Sequence, residues 1–268
     1  MFDKVKDVLK SDYALGQILK RRYEHRFLSA SDSNLFYGNY PSFDVAISHL
    51  PSTKPGGYDN QPSALLYQDR CETIHSTDYP ALYWLKQVLK ADSKVFEIGG
   101  HVGVSFYAYD KFMDLGETID WTIHDVEAVV KQGLQLAEVK QEKRLHFTSS
   151  FQAKPTTDIV FASGSLQYIE APLHRLIEKA AISPEHILVN LMPVNDKPDY
   201  YTINNIGTAF CPYKITNRNL LIKQLSDAGY QLVDSWENPN KRCIIPYQDP
   251  DYSLNAYAGF YFRKTRLN

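Results

Sequence analysis

The residues best suited to chemistry lie in one glycine-rich run and in an acid that follows it. The run from Val95 to Gly103 reads VFEIGGHVG, an apolar strand that contains Glu97 and leads into glycines. Asp125 ends the next apolar segment, 28 residues after Glu97 (125 minus 97). In open α/β sheets, ligands bind at the carboxyl ends of strands, where glycine lets the backbone approach them closely. A carboxylate on the neighbouring strand can accept hydrogen bonds from both hydroxyls of a ribose.

The spacing of these residues disfavours a nicotinamide dinucleotide. That ligand class requires G-x-G-x-x-G, and His101 stands where the middle glycine would fall. An acid within the strand, at Glu97, would repel a pyrophosphate. A ligand with a cationic end and no phosphate, such as S-adenosylmethionine, would instead be attracted. Two alternatives stay open: a tight turn without a ligand, and an N-cap role for Asp125.

Apolar strands alternate with amphipathic helices around this run. Strands are predicted at residues 94–98, 121–124, 145–148, 158–162 and 186–191. Helices are predicted at residues 79–90, 102–113, 126–138, 172–180 and 217–228. Strands at 230–236 and 256–263 follow and are expected to pair antiparallel. This order predicts a doubly wound α/β fold with a mostly parallel sheet.

The first part of the chain has a different composition. Residues 1–28 predict an amphipathic helix with a basic polar side, and residues 29–78 combine turn-forming residues with many aromatics. We therefore expect residues 1–78 to form a helical and loop-rich cap over a domain at 79–268. A basic amphipathic helix can also lie on a membrane surface, although packing against its own domain is favoured.

Composition excludes several classes of protein. With 29 Lys and Arg against 31 Asp and Glu, the chain lacks the basic excess of a nucleic-acid binder. No apolar run approaches the roughly 18 residues of a membrane span. The first residues lack the apolar core of a signal peptide, and the three cysteines lie far apart. These features predict a cytoplasmic protein without disulfides or a metal site.

Taken together, the motifs resemble those of class I S-adenosylmethionine-dependent methyltransferases. The likeness rests on acid-x-Gly-Gly-x-x-Gly after the first strand, an acid after the second, DIVFASGSLQYI at residues 158–169 and the terminal antiparallel pair. It covers residues 79–268 and implies a seven-stranded Rossmann-like sheet with a terminal antiparallel strand. Upstream, FYGNYPSFDVA and GYD are similar to a group of methyltransferases often met among bacterial polysaccharide-biosynthesis genes.

The resemblance implies a role for each part of the cofactor site. The loop around the methionine part would comprise Glu97, Gly99, Gly100 and Gly103. Asp125 would hold the ribose, and the adenine would lie near Val126, Ser149, Ser150 and Phe151. Ser163 and Gly164 would lie beside the sulfonium. The sequence departs from the family at His101, where most members carry a small residue; its ring either points out of the loop or intrudes on the cofactor.

Residues on the acceptor side are less sharply indicated. Candidates for a general base or an orienting group are His101, His124, Tyr168 and His174, and for each the commoner role is structural. The segment after the fifth strand offers polar and aromatic groups for an acceptor: Tyr200, Tyr201, Asn204 and Asn205. Its alternative role is loop packing and contact between subunits of a homo-oligomer.

The sequence thus predicts methyl transfer from S-adenosylmethionine to an oxygen of a small-molecule or glycan-type acceptor. Two rivals remain. One is a non-catalytic binding or scaffold protein that keeps the fold, because fold does not fix function. The other is a nicotinamide-dependent sugar-nucleotide enzyme, which the missing G-x-G-x-x-G disfavours.

Overall fold

A computed structural model describes residues 2–151 and 156–265 of the chain, with side chains from Leu15 onward. Its helices are α1 (Phe2–Ser29), α2 (Phe43–Ser48), α3 (Gln61–Ala64), α4 (Tyr79–Val88), α5 (Val104–Met113), α6 (Glu127–Lys140), α7 (Leu173–Lys179) and α8 (Arg218–Asp227). Its strands are β1 (Leu35–Tyr40), β2 (Lys94–Ile98), β3 (Asp120–His124), β4 (Leu145–Thr148), β5 (Ile159–Ser163), β6 (His186–Met192), β7 (Val194–Asn195), β8 (Tyr200–Asn205), β9 (Phe210–Asn217), β10 (Tyr230–Asn238) and β11 (Tyr257–Lys264). Short 3-10 turns lie at Gln68–Glu72, Leu166–Tyr168 and Pro250–Tyr252.

The larger sheet has seven strands in the order β10-β11-β6-β5-β2-β3-β4. The last strand, β11, pairs antiparallel with both of its neighbours, while the pairs formed by β2 through β6 are parallel. The predicted doubly wound, mostly parallel sheet with a terminal antiparallel strand is confirmed. Because the chain leaves β2 toward β3 on one side and later returns to β5 on the other, strand order reverses at β2.

Two apolar layers cover this sheet, one on each face. On one face, Phe96, Val160 and Phe260 pack with residues of α7 and α8 such as Leu176 and Leu225. The other face is built in the same way from α4 and α5, whose packing residues are Leu82, Leu85, Phe106 and Tyr109. Strands buried on both faces read as continuous apolar runs, which is why KVFEI and DIVFA could be found in the sequence.

A second, four-stranded sheet has the order β1-β8-β9-β7. Sequence reasoning assigned residues 190–213 to loops because they are rich in Asn, Pro and Tyr. In the structure β8 pairs antiparallel along its whole length with residues 210–215 of β9, and β1 pairs with the other edge of β8. This sheet joins strands from both sides of the boundary predicted at 78/79, and that boundary stays a prediction.

Helix α1 is attached to the small sheet by its last turns. Phe27 is buried, and the hydroxyl of Tyr23 donates to the carbonyl of Phe36 at 2.7 Å. Leu15, Ile18 and Leu19, nearer the start of the helix, are exposed. No helix among the described residues is long and apolar enough to cross a membrane.

Candidate functional site

The turns that contain the predicted glycines Gly99 and Gly164 lie at the carboxyl edge of the large sheet, one after β2 and one after β5. The amide of Gly99, just after β2, donates to the carbonyl of His124 at the end of β3 (2.7 Å). On the other side, the amide of Gly164 follows β5 and donates to Asn190 of β6 (3.0 Å). The glycine turn is thus fixed at the point where strand order reverses, the usual ligand position in such sheets.

Glycine is required in this turn because of the positive φ angles and because there is no room for a Cβ atom. Gly99 has a φ of +71°, and a Cβ there would overlap the Cβ of Ser165. A Cβ on Gly100 would lie 2.5 Å from the carboxyl carbon of Glu97. Gly103 has a φ of +96° and starts α5. The loop therefore presents backbone alone, with its amide and carbonyl groups, at the head of α5.

Glu97 occupies a different position from the one predicted. It is 1 % exposed, and its Oε2 accepts a hydrogen bond from the indole of Trp121 at 2.8 Å. Burial raises the pKa of this carboxyl to about 7, against the effect of hydrogen bonds from Trp121 and Ser105. The predicted place of Glu97 in the loop around a ligand is corrected: its side chain lies in the core and supports Gly100.

Asp125 connects the glycine loop to β3. Its Oδ2 accepts from the amide of His101 (2.9 Å) and its Oδ1 from the amide of Val126 (2.8 Å). Burial raises the pKa of this carboxyl to about 6, although both amide hydrogen bonds lower it. Each carboxylate oxygen has more than one lone pair, so Asp125 retains the capacity to accept from a ligand.

The imidazole of His101 turns out of the loop. Its Nε2 lies 3.0 Å from the carbonyl oxygen of Ser63 in α3, and its ring meets the Tyr67 ring edge-on at 5.4 Å. Burial lowers the pKa of His101, so the ring is neutral at pH 7. Because a carbonyl only accepts, Nε2 carries the proton. Of the two orientations that the sequence left open, the ring adopts the outward one and joins the loop to the 61–67 segment.

The residues predicted near an adenine divide into two groups. Ser149 and Ser150 are exposed after β4, and Ser149 lines a cleft of about 670 Å³ with Asp59 and the first turns of α6. Phe151 instead packs on the core, 4.1 Å between its ring centre and that of His124. Burial lowers the pKa of His124. Val126 is half-buried at the start of α6, beside Asp125.

The candidates for the acceptor side lie on both faces of β8. The hydroxyl of Tyr168 donates to Oδ1 of the fully buried Asn204 at 2.9 Å. Tyr200 is buried on the same face and donates to the carbonyl of Tyr252 at 3.0 Å. Both hydroxyls are occupied, but Tyr168 is partly exposed and stays a candidate for contact with an acceptor, whereas Tyr200 is buried in the core.

The predicted contacts of Tyr201 and Asn205 with an acceptor are corrected. Side chains alternate along a strand, so these two point to the face of β8 opposite to Tyr200 and Asn204. The amide nitrogen of Asn205 donates to the carbonyls of Phe27 and Ala30, so it anchors the end of α1. Tyr201 meets the ring of Phe43. His174 lies on α7, and no contact within the described ranges joins it to the glycine loop.

The resemblance placed Gln167 within residues 166–168, at the start of the substrate side, but assigned it no role of its own. Its amide nitrogen donates to the carbonyl of Gly164 at 2.6 Å, and the residue is 4 % exposed. Its Oε1 is buried with no hydrogen-bond partner among the described residues. A buried acceptor normally has a donor, so this atom indicates where a ligand donor fits. The only sequence signal was its place in the run after β5.

Comparison with known proteins finds neither a matching family model nor a matching curated protein. Solved structures do match. A didemethyltoxoflavin N1-methyltransferase from Burkholderia thailandensis, crystallised with S-adenosylhomocysteine, is 18% identical, with 75% of this chain and 84% of that one covered and a TM-score of 0.48. The CcbJ methyltransferase from Streptomyces caelestis is 15% identical, with 78% and 98% covered and a TM-score of 0.49. Similarity at this level does not show which reaction the chain catalyses. The fold assignment rests on the sheet order described above.

Proposed function

We propose that the chain is an S-adenosylmethionine-dependent methyltransferase. The observation that carries the proposal is the junction of Gly99, Gly100 and Asp125, where two glycines without Cβ atoms and a half-buried carboxylate meet at the reversal point of the sheet. Such a junction suits a nucleoside whose hydroxyls reach the carboxylate and whose remaining part lies against the loop.

The residues present fit this cofactor. The loop offers backbone groups without Cβ atoms, and the carboxylate of Asp125 retains lone pairs for ribose hydroxyls. The orphaned Oε1 of Gln167 lies beside the Gly164 turn, where an ammonium or hydroxyl donor would satisfy it. The carboxylate of Asp125 lies beside the turn and disfavours a phosphate-bearing nucleotide.

In the proposed mechanism the protein mainly aligns two reactants. The bound cofactor supplies an electrophilic methyl group that passes from sulfur to the acceptor oxygen, with S-adenosylhomocysteine left and the hydroxyl proton released. Asp125 fixes the ribose, and Gln167 accepts from a donor at the Gly164 turn. The Asn204 hydrogen bond holds Tyr168 in one orientation at the acceptor side. The pKa of His124 is lowered by burial, so its ring is neutral at pH 7, and His124 stays the candidate to accept the proton.

The finer parts of the proposal concern the acceptor. An oxygen of a small-molecule or glycan-type acceptor is supported by the aromatic and amide side chains around Tyr168. The likeness of the 36–59 region to methyltransferases of polysaccharide biosynthesis supports a glycan, and with it a cytoplasmic protein. We also propose that the chain forms a homo-oligomer.

Isotope transfer tests the reaction. The purified chain is incubated with S-adenosylmethionine carrying a labelled methyl group and a panel of hydroxylated sugars and phenols. We expect equal amounts of labelled product and S-adenosylhomocysteine with at least one acceptor. Tight binding of the cofactor without any transfer across a broad panel would favour the scaffold alternative.

A further inference from the structure

We propose that helix α1 binds the surface of a membrane that contains anionic lipids, with its axis along that surface. The contact would be made by one face of the helix, which consists of Leu15, Ile18, Leu19, Arg22 and Arg26 and is named the outer face. The inference is independent of the proposed function, because it uses no residue of the candidate site.

The five side chains of the outer face lie together because of their spacing. Ile18 and Leu19 follow Leu15 by three and four residues, and the two arginines continue the same stripe over the next turns. The apolar members are exposed: 55 % of Leu15, 51 % of Ile18 and 44 % of Leu19 are accessible to solvent. Neighbouring apolar side chains that stay exposed in this way indicate a surface that another body covers.

The rest of the chain contacts α1 only near its end, as far as the described residues show. Phe27 packs against Phe210 of β9, with 5.3 Å between the ring centres. One turn earlier, Glu24 accepts from the hydroxyl of Tyr37 at 2.6 Å. No side chain of the outer face forms a hydrogen bond or an ion pair within the described ranges. Packing of the helix against its own domain therefore leaves this face free.

The charge of this part of the helix favours an anionic partner. Residues 15–29 contain four Lys and Arg and a single acid, a formal charge of +3 (four minus one), although the whole chain carries −2. The acid is Glu24, which is already bonded to Tyr37 of β1. Arg22 and Arg26 are exposed and lack a carboxylate partner among the described residues. A layer of anionic headgroups would supply the missing counter-charge.

The combination of apolar and basic side chains distinguishes a membrane from other partners. Two copies of residues 15–29 that paired with each other would bring +3 against +3, which is repulsive. A nucleic acid would neutralise the arginines but would leave three apolar side chains in water. At an anionic bilayer, Leu15, Ile18 and Leu19 can enter the boundary of the acyl chains. The aliphatic stems of Arg22 and Arg26 can lie beside them with the guanidinium groups at the headgroups.

Flotation of the full chain with lipid vesicles tests the inference. Vesicles of phosphatidylcholine alone are compared with vesicles of equal amounts of phosphatidylcholine and phosphatidylglycerol, each at low and at high NaCl concentration. At low salt we expect the chain to bind the anionic vesicles about tenfold or more tighter than the neutral ones. At high salt the preference should shrink, because the charges of the headgroups are screened.

A first pair of substitutions locates the electrostatic part. Arg22→Gln with Arg26→Gln should weaken binding to the anionic vesicles about tenfold or more, because each basic residue at such a surface contributes about fivefold. Glutamine keeps a helix propensity close to that of arginine. The control Lys86→Gln with Lys143→Gln removes the same charge at exposed positions elsewhere and should bind the vesicles like the unaltered chain.

A second pair locates the apolar part. Leu15→Gln with Leu19→Gln should also weaken vesicle binding about tenfold or more, because two apolar side chains no longer enter the bilayer. The control Val139→Gln with Ile244→Gln replaces two apolar side chains that are 81 % and 46 % exposed outside α1. It should bind like the unaltered chain. Thermal unfolding checks that each variant is folded.

Three results would overturn the inference. The first is no binding to vesicles, or equal binding to the neutral and the anionic ones. The second is unchanged vesicle binding in either outer-face variant. The third is a dimer in sedimentation equilibrium that both outer-face variants dissociate, because the partner would then be a second copy of the chain. If S-adenosylhomocysteine fails to bind while the preference for anionic vesicles persists, the proposed function fails and the membrane inference stands.

Discussion

At the residue scale, substitutions at Gly99 and His101 should have different effects on ligand affinity, because the loop requires glycine at 99 but does not require the ring of His101. Gly99→Ala places a Cβ against Ser165 at a positive φ, so the loop must shift. We expect the affinity for S-adenosylhomocysteine to fall about tenfold or more. His101→Ala keeps the amide that donates to Asp125 and removes only the ring that faces Ser63, so its affinity should stay within about threefold of the unaltered chain.

Titration calorimetry measures the affinity of both variants for S-adenosylhomocysteine. Thermal melts check that each variant is folded. Equal losses in the two variants would mean that the imidazole belongs to the ligand site after all.

Because the carboxyl of Glu97 is buried, we expect the unfolding free energy to depend on pH. Its pKa rises from 4.5 to about 7 on folding because the carboxyl is buried. The protonated form is therefore the one that folding favours: its contribution is complete below pH 4.5 and is lost as the pH rises through about 7. Between pH 5 and pH 8 the unaltered chain should lose roughly 2 to 3 kcal/mol of unfolding free energy through this group.

Glu97→Gln provides the comparison, because glutamine keeps an acceptor for the Trp121 indole without a charge. Urea unfolding at several pH values should show a smaller loss in the variant, while the contribution of Asp125 is common to both proteins. Parallel pH profiles would show that the buried carboxyl of Glu97 does not titrate in this range.

At the element scale, the small sheet holds α1 in place through Asn205. Asn205 is fully buried, and Asn205→Ala removes the donor to Phe27 and Ala30 and the acceptor of the Gly207 amide; the bonds to Phe27 and Gly207 are buried. Leaving such groups unpaired costs about 1 to 3 kcal/mol each. We expect the variant to lose at least about 2 kcal/mol of unfolding free energy in urea, whereas Asn255→Ala at an exposed position should change it little. A loss equal to that of the control would remove Asn205 from this role.

The same sheet shows where sequence reasoning reaches its limit. Strands β2 and β5 are buried on both faces and appear in the sequence as apolar runs, so they and the turns after them could be located. Strand β8 carries Thr and Asn side chains whose polar groups are satisfied by β1 and α1, partners more than 150 residues away in the chain. The local sequence contains no signal of such distant partners, so this strand was interpreted as a loop.

The candidate ligand site shows the same contrast between features with a local sequence signal and features without one. Gly99 and Asp125 are adjacent to strands and could be predicted, because strand ends converge at one edge of a parallel sheet. The outward turn of His101 depends on Ser63, and the orphaned Oε1 of Gln167 depends on the packing around Gly164; neither relation has a local signature.

At the scale of the whole molecule, the first 78 residues and the insertion that forms β7 to β9 meet over one edge of the large sheet. Asp59 accepts from the amide of Ala128 at the start of α6, and Ser63 bonds to Thr208 (2.8 Å) beside β9. Residues 59–63 thus contact the glycine loop through His101, the start of α6 through Ala128 and the small sheet through Thr208. Ligand binding at the loop should stabilise the whole fold by about 2.7 kcal/mol at a concentration one hundred times the Kd.

Calorimetric titration of the full chain with S-adenosylhomocysteine tests the central claim most directly. The account predicts saturable binding at one site per chain, and a loss of more than about tenfold in affinity for Asp125→Ala, since the ribose hydroxyls then lose their charged partner. Absence of binding heat at several temperatures, or an unchanged affinity in Asp125→Ala, would contradict it.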